Sequence, residues 1–239
     1  MRVLCVFGTR PEGIKMAPVV KALESHPSEI EVRTCATAQH RELLDQVLHL
    51  FGITPDIDLD LMEEAQTPSQ VASRVLAELD PVLRDEAPDW VLVQGDTTTV
   101  LAGAIAAHHL RIRVGHVEAG LRTGDRWNPF PEEMNRVLTD HISDLCFAPT
   151  ARARENLLED GIPDSLIRVT GNTVIDALLE VAGRPWEPQP GSPLGDLPVD
   201  KDVLLVTAHR RESFGRPLEP ICESLRTIAR RGGDVQIVY

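Results

Sequence analysis

Three acidic residues between Gln94 and Arg136 fall where an alternation of strands and helices would place working groups. Asp96 follows the apolar run Trp90-Val91-Leu92-Val93, Glu118 follows Ile112-Arg113-Val114-Gly115-His116-Val117, and Glu132 opens a helical pattern after Pro131. In open parallel sheets the carboxyl ends of the strands are where ligands sit. Carboxylates that converge there repel one another, and at least one can then hold a proton near neutral pH, as acid/base chemistry requires. A plainer reading competes for each residue, with Asp96 capping a helix at Thr97 to Thr99 and Glu132 a first-turn acid.

Cationic and amide groups are available for an anion. The turn Gly8-Thr9-Arg10-Pro11-Glu12-Gly13 joins the first strand to the first helix, so backbone N–H groups and the helix dipole face one point, with Arg10 and Lys15 adding positive charge. The turn is not a GxGxxG fingerprint, which argues against a tightly bound NAD; no cofactor is expected. His209 follows the strand-like run Val203 to Thr207 and precedes Arg210-Arg211-Glu212. Coming after a linker between two sheets, it is expected to face a cleft, where ligands concentrate. Gln39, His40 and Gln66 sit in loops opening on the same side of the first sheet, where side-chain amides by themselves would cap neighbouring helices. His116-x-Glu118 shares a spacing with zinc deaminases, but no Pro-Cys-x-x-Cys follows and His108-His109 lacks helical ligand spacing, so no metal is assigned.

The elements that must position these groups read as a βαβ alternation. Strands are expected near Val3 to Phe7, Glu31 to Ala36, Trp90 to Gln94, Ile112 to Val117, Leu145 to Ala148 and Ile167 to Thr170. Helices are expected at Lys15 to Glu24, Arg41 to Phe51, Ser69 to Glu86, Thr98 to His109, Glu132 to Ile142, Ala151 to Glu159 and Thr173 to Val181. Such alternation implies a parallel sheet covered on both faces. After Ala182, Pro185, Pro188, Pro190, Pro193 and Pro198 crowd a segment that cannot be helical and reads as a linker. The organisation is therefore a first domain over residues 1–183, a linker over 184–200, and the start of a second βαβ unit over 201–239.

The 24 Lys and Arg residues stand against 37 Asp and Glu, a net charge of −13, which argues against nonspecific binding to nucleic acid or an anionic membrane. Cys5, Cys35 and Cys146 lie in strand-like runs and Cys222 does not; widely spaced thiols of this kind read as reduced. The apolar run that ends at Gly8 is too brief for a signal-peptide core, and no stretch approaches a membrane span, so a soluble cytoplasmic protein is expected.

Several motifs occur together and in order: Gly8-Thr9-Arg10-Pro11-Glu12, Lys15 with Pro18, Thr37-Ala38-Gln39-His40, Gln94-Gly95-Asp96-Thr97, His116 to Thr123, Pro131-Glu132-Glu133-x-Asn135-Arg136, Gly171-Asn172-Thr173-x-x-Asp176 and Thr207-Ala208-His209-Arg210-Arg211-Glu212. In these the chain resembles the non-hydrolysing UDP-N-acetylglucosamine 2-epimerase family. The resemblance implies two Rossmann-like domains of glycosyltransferase-B type, the second shortened here, because family members are substantially longer. It implies reversible C2 epimerisation of UDP-GlcNAc to UDP-ManNAc, with Asp96, Glu118, Glu132 and His209 catalytic and Arg10, Lys15, Asp96, Glu118 and His209 holding substrate. It further implies a second UDP-GlcNAc acting as an allosteric activator near Gln39, His40, Gln66 and Arg210, and a homodimer at full length. The rival readings are a hydrolysing epimerase releasing ManNAc and UDP, a glycosyltransferase, and an inactive nucleotide-sugar-binding module. The proline-rich segment generates a first expectation: a protease of broad specificity cuts first between Arg184 and Pro198 and leaves a resistant N-terminal fragment, as mass spectrometry of the digest would show.

Overall fold

Runs such as Val3-Leu4-Cys5-Val6-Phe7 are apolar at every position instead of at alternate ones, the pattern of strands buried on both faces. In the computed structural model all five of these residues are buried. The structure describes residues 1–37, 41–61, 66–185, 195, 201–207, 218–231 and 234–239. The chain divides into two compact units, Met1–Gly183 and Arg184–Tyr239.

The first unit contains β1 (Arg2–Phe7), α1 (Arg10–Glu24), β2 (Glu31–Ala36), α2 (Arg41–Phe51), β3 (Ile57–Asp58), α3 (Pro68–Glu86), β4 (Trp90–Gln94) and α4 (Thr98–His109). It continues with β5 (Arg113–Val117), α5 (Glu132–Ile142), β6 (Leu145–Ala148), α6 (Ala151–Glu159), β7 (Ile167–Val169) and α7 (Thr173–Ala182). These strands form one sheet in the order β3-β2-β1-β4-β5-β6-β7, and each neighbouring pair is parallel. The side-chain alternation of the strands divides the core. Leu4, Val6, Val91 and Val93 pack with Val75, Leu79 and Leu83 of α3 and Val100 of α4, while Val3, Cys5, Phe7 and Leu92 pack with Met16 and Val20 of α1 and Leu44 of α2. The architecture is thus a doubly wound α/β fold whose strand order reverses between β1 and β4.

Two features depart from the sequence reading. The first helix begins at Arg10, well before Lys15, because Pro11 is accommodated in its first turn and the Glu12 carboxylate reaches back to the N–H groups of Gly8 (2.6 Å) and Thr9 (3.3 Å). The two-residue strand β3 is too short to carry a periodic signal and exists only through its pairing with Cys35 and Ala36.

In the second unit β8 (Asp202–Leu205) pairs in parallel with β9 (Val235–Val238), and α8 (Leu218–Arg230) lies between them in the chain. Val203, Leu205 and Val235 are exposed. No helix among the described residues is long and apolar enough to cross a membrane.

The thiols sort by burial. Cys5, Cys35 and Cys146 are buried, and desolvation, helped by nearby carboxylates, pushes each up to about 12; Cys222 is exposed. Only thiolates alkylate readily. Iodoacetamide at mildly alkaline pH should therefore label Cys222 alone in the native protein and all four cysteines after unfolding, as peptide mass mapping would show.

Candidate active site

The line of strand-order reversal brings the loops after β1 and β4 to one crevice, and β5 is the next strand beyond. Glu118 is the residue after β5 and has φ +67°, a left-handed conformation that a non-glycine residue adopts at a cost of about 1–3 kcal/mol. Its carboxylate gathers donors from three elements. Oε2 accepts from Lys15 Nζ of α1 at 2.5 Å and from Gln94 Nε2 of β4 at 2.6 Å, and Oε1 accepts from Asn172 Nδ2 at 2.7 Å. Asn172 is the N-cap of α7, and its Oδ1 accepts from Val174 N at 3.1 Å, so its amide nitrogen is the end left for Glu118. The ion pair of Lys21 with Glu180 at 2.5 Å and the burial of Ala177 with Ala17, Val47 and Phe51 hold α7 against α1 and so place that cap.

Asp96 lies in the turn after β4. The helix-cap reading fails here, because Thr97 is the N-cap of α4 and its Oγ1 accepts from Val100 N at 3.3 Å. The Asp96 side chain instead meets Arg136 Nη2 at 3.2 Å, and its backbone carbonyl accepts from Asn135 Nδ2 at 3.0 Å, both from α5. Burial pushes the Asp96 carboxyl above its ordinary range; the Arg136 charge opposes this, the Glu132 and Glu118 charges add to it, and Lys15 opposes it weakly. The charges of Glu132 and Glu118 thus both act on the Asp96 carboxyl. Glu132 does stand in the first turn of α5, as the plainer reading expects, and Glu133 beside it is the buried member, accepting from Thr123 N (3.0 Å) and Gly124 N (3.1 Å).

The other expected residues are placed differently. Arg10 is exposed in the first turn of α1, and Lys15 is engaged by Glu118. The amides of Gly8 and Thr9, expected to receive an anion, point instead at Glu12, whose own carboxyl is raised by burial against those hydrogen bonds. Gln66 Nε2 donates to the carbonyl of Leu61 at 3.2 Å. Gln39, His40, His209 and Arg210 lie outside the described residues. His116 is fully buried, and both ring nitrogens are in hydrogen bonds. Sequence reasoning missed Gln94, Asn172, Asn135 and Arg136 as site residues; their recurrence beside the acidic residues in the quoted motifs was the available signal.

A doubly wound sheet with carboxyl groups after β4 and β5 puts the candidate site at the strand ends beside its switch point. The particular family follows from comparison. The family model for UDP-N-acetylglucosamine 2-epimerase matches residues 21–239, and the chain belongs to that family. It is 54% identical to the UDP-N-acetylglucosamine 2-epimerase of Salmonella typhimurium, with 100% of this chain and 65% of the relative aligned. A putative UDP-N-acetylglucosamine 2-epimerase from Listeria monocytogenes superposes with a TM-score of 0.90 at 48% identity, covering 100% of this chain and 62% of that one. The Neisseria meningitidis UDP-GlcNAc 2-epimerase, bound to UDP-GlcNAc, gives 0.89 at 44% identity, covering 99% of this chain and 65% of that one. The chain thus spans about two thirds of the length of these relatives.

The Asp96 environment makes a sign-definite expectation. A carboxyl with a raised folded value contributes stability in acid that is lost as pH rises through that value, because the fold holds the proton more tightly than the unfolded chain does. Carboxyl-carbon NMR should give Asp96 a midpoint above the roughly 3.9 of an unfolded aspartate. Glu132→Gln should lower that midpoint by removing a like charge. A midpoint at or below the unfolded value would contradict the convergence of these groups.

Proposed function

We propose that the protein catalyses reversible epimerisation at C2 of UDP-N-acetylglucosamine, giving UDP-N-acetylmannosamine by elimination and readdition of UDP with no net hydrolysis. The observation that supports this reading is the Glu118 carboxylate after β5, held by Lys15, Gln94 and Asn172, with Asp96 after β4 raised by burial and by the charges of Glu132 and Glu118. Family membership and the UDP-GlcNAc held by the Neisseria relative support the substrate.

The chemistry explains why carboxyl groups are needed. C2 has no adjacent carbonyl, so its hydrogen is not acidic enough for direct removal. As the C1–O bond breaks, its electron pair leaves with UDP and positive charge develops at C1, which makes the C2 hydrogen labile. A carboxylate takes that proton and the C2–H electrons form the C1=C2 bond of 2-acetamidoglucal. A proton delivered to C2 from the opposite face and return of a UDP oxygen to C1 complete the inversion. The sequence is redox-neutral and requires no hydride carrier.

In this reading Glu118, held by three donors, keeps a fixed orientation at the sugar, and Asp96 is the group suited to carry a proton. Lys15, Arg10 and His209 are assigned to the diphosphate, all three by family resemblance. A second UDP-GlcNAc near Gln39, His40, Gln66 and Arg210, and a homodimer of the full-length protein, belong to the same reading, as does a cytoplasmic location, which fits three buried thiols outside any disulfide.

Proton NMR of a reaction with UDP-GlcNAc alone tests the proposal. UDP-ManNAc is the expected product; free ManNAc with UDP would make the protein a hydrolysing epimerase, and binding without turnover a sugar-nucleotide module. In D₂O the product should carry deuterium at C2, and retention of the original hydrogen would overturn elimination and readdition. In the full-length protein, Asp96→Asn, Glu118→Gln and Glu132→Gln should each lower turnover by about 10²-fold or more, with affinity changed far less.

A further inference from the structure

Behind the strand ends lies a charged cluster that the reaction scheme does not use. His116 on β5 and Asp140 on α5 are both fully buried. His116 Nδ1 is 2.6 Å from Asp140 Oδ1, and Nε2 is 2.7 Å from the carbonyl oxygen of Gly95. Asp140 Oδ2 also accepts from Gly120 N at 3.2 Å and from Arg122 Nη2 at 2.7 Å, and Arg122 donates on to Asp160 at 2.8 Å.

The partners of this cluster are the backbone on either side of the working carboxyl groups. Gly95 immediately precedes Asp96 and has φ +87°, so its carbonyl direction is set by a conformation few other residues adopt. Gly120 is two residues beyond Glu118, with φ +84°, and a Cβ there would stand 2.3 Å from the carbonyl oxygen of Ala153. Asp140 lies two turns along α5 from Glu132. One imidazole thus ties together the three segments that carry Asp96, Glu118 and Glu132.

We propose that His116, in its doubly protonated form, is a positioning residue that sets the turns bearing Asp96 and Glu118 for catalysis. A carbonyl can only accept, so Nε2 must carry a hydrogen toward Gly95. Asp140 already accepts from Arg122 and Gly120. Burial would raise its carboxyl, but the His116 and Arg122 charges and hydrogen bonds outweigh that and hold it below its ordinary value. Its Oδ1 faces Nδ1 at 2.6 Å, and with Nε2 facing a carbonyl both ring nitrogens stand against acceptors, the arrangement of a doubly donating ring. The charged groups facing that ring are Asp140 and, through it, Arg122 and Asp160; the buried Cys146 thiol donates to the Asp140 carbonyl at 3.7 Å. Apolar residues of similar volume often stabilise a fold as well as a buried ion cluster does, so stability alone does not account for this one.

The proposal rests on the epimerase reading, and the test separates the two. In the ¹⁵N-histidine-labelled native protein at neutral pH, both ring nitrogens of His116 should give protonated, imidazolium-type signals. His116→Asn keeps a donor near the Nδ1 position and loses the one toward Gly95; His116→Gln does the reverse. The Asn variant should shift the Asp96 carboxyl-carbon titration and lower kcat about 10²-fold, with KM changed less than about threefold. The Gln variant should leave the Asp96 titration near that of the native protein. A neutral ring in the native protein, or a folded Asn variant with native kcat and Asp96 titration, would overturn the proposal. If the native protein does not turn over UDP-GlcNAc, the epimerase reading fails, while the ring signals and the Asp96 titration still decide what His116 does. If the Asn variant does not fold, the native ring signals and the Gln variant decide it.

Discussion

The reversal of strand order between β1 and β4 is the constraint on which the site depends. Crossovers on either side of that line cover opposite faces of the sheet, so the loops at the carboxyl ends of β1 and β4 diverge and leave a crevice. A helix N-terminus at such a crevice ordinarily offers its amides to an anion. Here Glu12 consumes the amides of Gly8 and Thr9, so this turn is held rigid from within. The chemistry then passes to side chains, and those that converge are mostly carboxyl groups with amide and cationic partners.

Glu118 shows how such a group is held at a cost in backbone energy. Its left-handed φ is unfavourable, and three charge-assisted or amide hydrogen bonds from α1, β4 and the cap of α7 offset that. Each of those donors is fixed by something else. Gln94 is buried in its strand, Asn172 is committed to its helix cap, and α1 and α7 are packed together by an apolar cluster and an ion pair. The orientation of one carboxylate is thereby written into the packing of two helices.

Much of this was legible in the sequence, for identifiable reasons. Strands buried on both faces leave unbroken apolar runs, and residues directly after those runs fall at the ligand-binding edge; that logic alone singles out Asp96 and Glu118. The shape of the site was not legible. The hydrogen bonds to Glu118 and Asp96 from Gln94, Asn172 and Asn135 span 24, 54 and 39 residues of chain, and no local pattern encodes contacts of that separation. Sequence also misread the first turn of α1, starting the helix at Lys15 although Pro11 in the first turn and the back-bonding Glu12 make a firm start at Arg10.

Three carboxyl groups near the strand ends of this unit meet different sets of donors and charges. Asp140 accepts from an imidazole, a guanidinium and an amide, and is held low despite burial. Glu133 accepts from two loop amides and faces Arg136 at 3.4 Å, which fixes the segment leading into α5. Asp96 has one guanidinium at 3.2 Å and two glutamates within electrostatic reach, and it is pushed up. Asp140 and Glu133 are shielded from water, whereas the Asp96 side chain is 35% exposed, so exposure separates them as well as the number and sign of neighbouring charges. A carboxyl surrounded by donors becomes a strut, because protonating it would break every bond it accepts. A carboxyl near like charges can take and give a proton more cheaply, and among the described residues that condition is met by Asp96 in the turn after β4.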